Sequence, residues 1–262
     1  APFLLAHRYL LIQLARREVL LRYRGSVLGI GWSFLHPLLL LLVFTLVFGG
    51  VFGGRWDSQT SSKTGFDMAL FIYCGLAVFT PFSEVISSAP RILFAHQHLV
   101  RKVVFPVELL PLTSFIAANV HAAAHFVLLI LAVALHGKLE PTALLLPLVL
   151  LPAWLTTLGL AWMFAAAGAY VRDIGHGMPV LTQLMMFGMP VFYPSTASPG
   201  LLQTLNYFNP IAQSIENLRR IMLEHAMPNW SHWGLMLALS LICVLGGHLF
   251  FKRCREEFAD VL

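Results

Sequence analysis

Two histidines one helical turn apart, His121 and His125, and a carboxylate inside an apolar stretch, Glu84, are residues whose type and place could do chemistry. A histidine pair at this spacing can offer two imidazoles to one metal ion, and ionisable groups inside a membrane commonly carry protons. The pair lacks the glutamate of an H-E-x-x-H motif, and neutral histidines also hydrogen-bond between helices, so no metal is assigned. Glu84 lies near one end of its stretch, where hydration or pairing with Arg91 accounts for it. A membrane transferase would need carboxylates in an aqueous loop, and Asp57, Asp67, Glu216 and Glu224 form no such arrangement. No G-x-x-x-x-G-K-[ST] phosphate loop is present, so the chain is expected not to be an enzyme, and any ATP chemistry must come from another chain. Cys74, Cys243 and Cys254 are too dispersed to suggest a disulfide framework or a metal site.

The elements that would position these residues are long and apolar. Of 262 residues 58% are hydrophobic and 11% charged, too few charges to cover a soluble domain. Mean hydropathy is +0.77. A helix needs about 20 apolar residues to cross the hydrocarbon core. Five runs qualify: Trp32 to Phe52, Met68 to Ser88, Leu109 to Leu135, Thr142 to Tyr170 and Trp233 to Phe251. A sixth crossing is read at Met178 to Tyr193, which is uncharged and apolar but interrupted by Gly188 and Pro190. The fold class is therefore all-α integral membrane, with residues 1–31 as an interface segment and 32–262 as a six-helix domain. Small residues at Ala161, Ala165, Gly168 and Ala169 suit close helix packing.

Charge placement predicts orientation, because loops rich in lysine and arginine stay in the cytoplasm. Arg8, Arg16, Arg17, Arg22, Arg24, Arg91, Arg101, Lys102, Arg172, Lys252, Arg253 and Arg255 fall on one side. Arg55, Lys63, Lys138, Arg219 and Arg220 fall on the other. Six crossings with this bias put both termini in the cytoplasm. A pI near 9.4 then reflects topology and attraction to anionic lipids, with no nucleic-acid partner. No cleaved signal is read at the start, so the first crossing is expected to act as its own insertion signal.

At the helical period Leu10, Leu11, Leu14, Val19 and Leu21 share one arc, with Gln13, Arg16, Arg17 and Arg24 opposite, while Glu18 and Arg22 interrupt the stripe. Two readings are open: an amphipathic helix lying in the membrane interface, or a set of charges that only fixes topology. Gly25 and Gly29 are expected to break this helix before Trp32. Residues 89–107 read as a short surface helix bracketed by Pro90 and Pro106, or as a solvated turn. The segment 195–230 is too long for a turn and too apolar to float. Asn209-Pro210 divides it into two short amphipathic helices that dip into the outer leaflet.

Five ordered elements carry a resemblance that spans nearly the whole chain. They are RYRGSVLGIGWSFLHPLLLLLVFTLVF (22–48), LVRKVVFPVELLPL (99–112), YVRDIGHGMPVLTQ (170–183), MPVFYP (189–194) and NYFNP (206–210). Together they resemble the permease subunit of type 2 ABC exporters for polysaccharides, the group that moves O-antigen, capsule and teichoic acid chains. The resemblance implies a homodimer of six-helix halves in a bacterial inner membrane, each half bound to a separate ATPase subunit that carries ATP and Mg. It further implies that the inner loop, with Arg91, His96, His98, Arg101 and Lys102, couples to the ATPase, joined by Arg172 and Asp173 of the next inner turn. The N-terminal helix, with Arg16, Arg17, Arg22 and Arg24, would pack near that loop at the membrane interface. The segment 195–230, with Tyr207, Phe208, Asn209 and Pro210, would form an external gate.

A channel for a long glycan must bind sugar rings weakly and repeatedly, which aromatic faces allow. Tyr73, Phe79, Trp154, Trp162, Tyr170, Phe187, Phe192 and Tyr193 are the candidates, each of which could instead anchor in lipid or pack between helices. The expected function is export of a lipid-linked polysaccharide, O-antigen first, driven by the partner's ATP hydrolysis. An exporter of the same fold for a small amphipathic molecule, an ATP-independent carrier and a membrane enzyme are the alternatives.

Overall fold

The computed structural model describes residues 7–47, 65–100 and 105–258. Among these the chain is helical: α1 (Arg8–Tyr23), α2 (Trp32–Leu46), α3 (Gly65–Ser88), α4 (Leu109–Leu135), α5 (Leu146–Tyr170), α6 (Ile174–Gly188), α7 (Gly200–Tyr207), α8 (Pro210–Met222) and α9 (Trp230–Cys254). Single helical turns at Ile92–Ala95 and Gln97–Val100 join α3 to the loop before α4. Five helical stretches are long and apolar enough to cross a membrane: Gly29–Leu46, Gly65–Ala95, Leu109–Leu135, Pro141–Tyr170 and Trp230–Glu257. The distal end of the first predicted crossing, residues 48–52, and the loop with Arg55, Asp57 and Lys63 lie outside the described residues.

The sixth predicted crossing, Met178 to Tyr193, is not among these five. Helix α6 has 15 residues, about 22 Å at the helical rise, against about 30 Å of hydrocarbon. It stops at Gly188 because Pro190 has no amide hydrogen to continue the ladder. Beyond it the chain turns through residues 189–194 into α7 and α8 instead of completing a second, longer run.

Helix α3 is the hub, packed against α2, α4, α5, α6 and α8, and Ala69, Leu70, Ile72, Tyr73, Phe82 and Ile86 are among its buried residues. Helices α5 and α9 form a seam of backbone contact. A Cβ on Gly247 would collide with the Gly159 carbonyl oxygen, and one on Gly159 would lie 2.5 Å from that of Cys243. Glycine is required at both positions, since close approach and van der Waals packing hold helices together in lipid. Thr156 adds a hydrogen bond to Ser240 across the seam at 3.0 Å. Ala161, Ala165, Gly168 and Ala169 are buried as their size predicts, with Gly168 against the Pro90 backbone. By contrast α2 and α9 leave most of their apolar surface uncovered, Leu42, Leu46, Ile242 and Leu249 among it.

The segment after the hub ends in two unlike helices. Asn209 caps α8 by accepting from the Ile211 amide at 2.9 Å, and Pro210 occupies its first turn, so the predicted division at Asn209-Pro210 is present. Helix α7 is largely exposed. Helix α8 is not a surface element: Ile211, Ile215, Leu218, Ile221 and Met222 are buried against α3 and α5.

Candidate functional site

The chemistry-bearing side chains gather at the two ends of α3. At the end near Glu84, α1 lies across α4 and α3. Gly25 and Gly29 take positive φ, +86° and +52°, and turn the chain into α2 as expected. Leu10, Leu11, Leu14 and Val19 are partly covered and Ala15 is buried, while Arg16, Arg17 and Arg24 are exposed. One assignment on this helix is corrected: Leu21 points outward, 48% exposed. Arg22, which interrupts the apolar stripe, remains exposed and forms an ion pair with Glu84. Partial burial opposes the charge on Arg22, but Glu84 holds its pKa above the ordinary value. The partner of Glu84 is therefore Arg22, because Arg91 is engaged elsewhere.

Beside that pair Tyr23 reaches His121 Nδ1 at 2.5 Å and also bonds Ser33, which lies 3.2 Å from the same nitrogen. His121 thus ties α1, α2 and α4 together. A cavity of about 250 Å³ adjoins this network, lined by Arg22, His36, Glu84, His121 and His125 among others. Among the described residues no cluster of three or more His, Cys, Asp or Glu side chains is placed to hold a metal ion.

Around the corner, the loop after α3 meets the turn before α6. Arg91 donates to the Gly175 carbonyl at 2.5 Å and lies 3.4 Å from His176 Nδ1, and a Cβ at Gly175 would strike the Arg91 side chain. Arg172 lies over the Phe94 ring at 4.9 Å. His96 Nδ1 donates to Ile92 O at 3.0 Å, and the His96 and His98 rings are 6.4 Å apart. A groove of about 400 Å³ runs between the loop and α1, lined by Arg17, Leu21, Ala95, His96 and His98. So His96 and His98 share a groove with α1, Arg91 and Arg172 tie the loop to the turn before α6, and Asp173 is exposed on that turn. Arg101 and Lys102 lie outside the described residues.

The opposite end of α3 carries the turn 189–195. Phe187 is 58% exposed and packs on Phe192 with ring centroids 5.7 Å apart, and Tyr193 donates its hydroxyl to the Phe187 carbonyl at 2.7 Å. Tyr207 and Phe208 are exposed at the end of α7, the former 4.3 Å from the His232 ring. Asn209 and Pro210 serve as the cap of α8. Two proposed lining residues are corrected: Tyr73 and Phe79 are core. Tyr73 is buried with its hydroxyl 3.4 Å from the His125 carbonyl oxygen, and Phe79 packs on Phe82. Of the other aromatics, Trp154 is partly covered against the core, Trp162 donates to the Glu108 carbonyl at 3.0 Å, and Tyr170 donates to Glu257 at 2.7 Å, holding the tail.

Sequence reasoning missed Arg219. Counted as a loop charge, it is 1% exposed, with Glu216 beside it at 3.2 Å. Burial pulls its pKa below the ordinary value and Glu216 pushes it back, and an arginine in such a setting stays charged. The signal was present: Glu216 and Arg219 stand three residues apart, the spacing of an ion pair on one helix face, among Ile211, Ile215, Leu218 and Met222.

Comparison with known proteins extends along the chain. The family profile for the ABC-2 type transporter matches residues 9–223. The chain is 32% identical over 261 residues to an O-antigen export system permease protein, RfbA, of Myxococcus xanthus, with 97% of this chain and 95% of that protein covered. Two Klebsiella pneumoniae proteins of the same name are 23% and 22% identical over 258 residues, each with the same coverage.

Proposed function

The chain belongs to the ABC-2 type transporter family, and on that premise we propose that it is the transmembrane half of an exporter that carries a lipid-linked polysaccharide, O-antigen first among them, out of the cytoplasm. The observation that carries this reading is similarity over 97% of the chain to a protein named as an O-antigen export permease. Two copies would form the conduit in a bacterial inner membrane, each bound to a separate ATPase subunit with its ATP and Mg. The α1 end of the molecule would face the cytoplasm together with both termini. Helix α6 with its following turn would stand as the sixth, incomplete transmembrane element.

The mechanism follows from the two ends. At the cytoplasmic end, Arg91 to Gly175 and Arg172 on Phe94 join the loop after α3 to the turn before α6. A push from the ATPase on His96, His98 or Arg91 is then delivered to α3 and α6 together. Rigid helices pass such a push along because packed interiors resist compression. Arg16, Arg17 and Arg24, exposed on α1, would attract anionic lipid headgroups and the charged linker of the cargo. At the far end the exposed Phe187, the partly exposed Phe192 and Tyr193, and Tyr207 and Phe208 offer apolar ring faces. Sugar rings slide over such faces without a strong hold at any one point.

Removal of the gene tests the reading. Surface polysaccharide is expected to vanish while cell viability and the other envelope glycans persist, and the purified chain is expected to bring down an ABC ATPase. Unchanged surface polysaccharide with the ATPase still bound would move the substrate to small amphipathic molecules. Unchanged polysaccharide with no ATPase bound would overturn the exporter reading.

A further inference from the structure

The turn 189–195 is irregular backbone set between apolar helices, and side chains satisfy its polar groups. Arg219 donates from Nη2 to the Val191 carbonyl at 2.7 Å, from Nη1 to the Tyr193 carbonyl at 3.4 Å and from Nε to the Phe71 carbonyl of α3 at 3.1 Å. Its guanidinium carbon lies 3.5 Å from the centroid of the Phe71 ring, and Nη1 also meets Glu216. Glu216 in turn accepts from the Ser195 amide at 2.9 Å, so the pair grips the turn at both ends. Asn206 takes the Gly188 carbonyl at 3.0 Å, and Gln213 takes the Asn206 carbonyl at 2.9 Å. On the other side the turn sits directly on α3. A Cβ on Gly75 would lie 2.6 Å from Val191 O and 3.1 Å from Arg219 Nη2.

A buried cation costs several kcal/mol unless its hydrogen bonds are met, and an arginine fork can meet several carbonyls at once. A residue needed only for topology would be left at the surface. We propose that Arg219 is the positioning residue of the far-end closure: it fastens the turn bearing Phe192 and Tyr193 to α8 and seats both on Gly75. The turn and α8 then move as one body, and with Arg219 in place that body stays seated on α3. This rests on the exporter reading for its purpose, though its geometry does not.

Cys74, adjacent to Gly75 and 0% exposed, is a native reporter of that seat. The experiment uses the full chain with its ATPase in right-side-out vesicles, with Cys243→Ala and Cys254→Ala so that one thiol remains. A membrane-impermeant maleimide is added outside. The parent should resist labelling, and Arg219→Met should react about tenfold faster at Cys74, with Arg219→Lys between them because a compact ammonium cannot span all the carbonyls. In parallel, Ser240→Cys in a background lacking Cys74 reports on the α5–α9 seam, where Ser240 is also 0% exposed, and its labelling should not change with Arg219→Met. Labelling at Cys74 equal to the parent's, or an equal rise at both positions, overturns the proposal. Where Arg219→Met does not accumulate, Gly75→Ala, which displaces Val191 and keeps the cation, decides the matter by the same two criteria. No cargo enters the assay, so a failed polysaccharide phenotype and a failed brace are separately visible.

Discussion

Both ends of α3 use an arginine to hold a neighbouring segment by its backbone carbonyls, and the two arginines are built differently. Arg91 is exposed and reaches one carbonyl, that of Gly175, with His176 beside it. Arg219 is buried and reaches three carbonyls, a carboxylate and an aromatic face. Phe71 and Glu84 are 13 residues apart on one helix, about 20 Å along its axis, so one rigid element connects a loosely pinned end to a tightly braced one. A surface that must receive a partner gains from few internal commitments, whereas irregular backbone within an apolar layer must have its polar groups met. On the exporter reading proposed above, the difference would separate a part that is pushed from a part that holds.

Substitutions sharpen or break that contrast, and the largest expected effect on stability lies at the braced end. Arg219→Met removes the guanidinium from three carbonyls and leaves Glu216 without its cation, and should lower unfolding stability by about 3–5 kcal/mol, read as a fall in the thermal midpoint in detergent. Gly75→Ala drives a methyl into the Val191 backbone and should cost about 1–3 kcal/mol in the same assay. Tyr193→Phe removes one hydroxyl bond to Phe187 and should cost about 1 kcal/mol. Arg91→Ala should change stability by less than about 0.5 kcal/mol yet reduce export and ATPase co-purification severalfold. A large stability loss at Arg91 with normal export would erase the contrast, as would a silent Arg219→Met.

Much of the architecture was legible because five runs are long, apolar and bounded by glycine, proline or charge. Proline at 210 behind Asn209 announced a helix start that is present. Three things were hidden for physical reasons. Met178 to Tyr193 reads as a crossing by composition, interrupted at Gly188 and Pro190, but composition does not show that its helix starts at Ile174 and ends after 15 residues. Tyr73 and Phe79 were offered as lining residues because a helix that is apolar on all sides gives no periodic sign of which face is covered. Charge counting treated Arg219 as a loop charge, although it is buried beside Glu216, and it gave no sign that Arg22 pairs with Glu84. Counting captures the sign of a loop and is blind to a side chain's partner.

The central claim is tested most directly by depleting the chain in its native host and locating lipid-linked glycan across the inner membrane. The account predicts accumulation on the cytoplasmic face, with loss of the surface polymer and recovery when the chain is restored. Glycan that still reaches the outer face at the normal rate would contradict it.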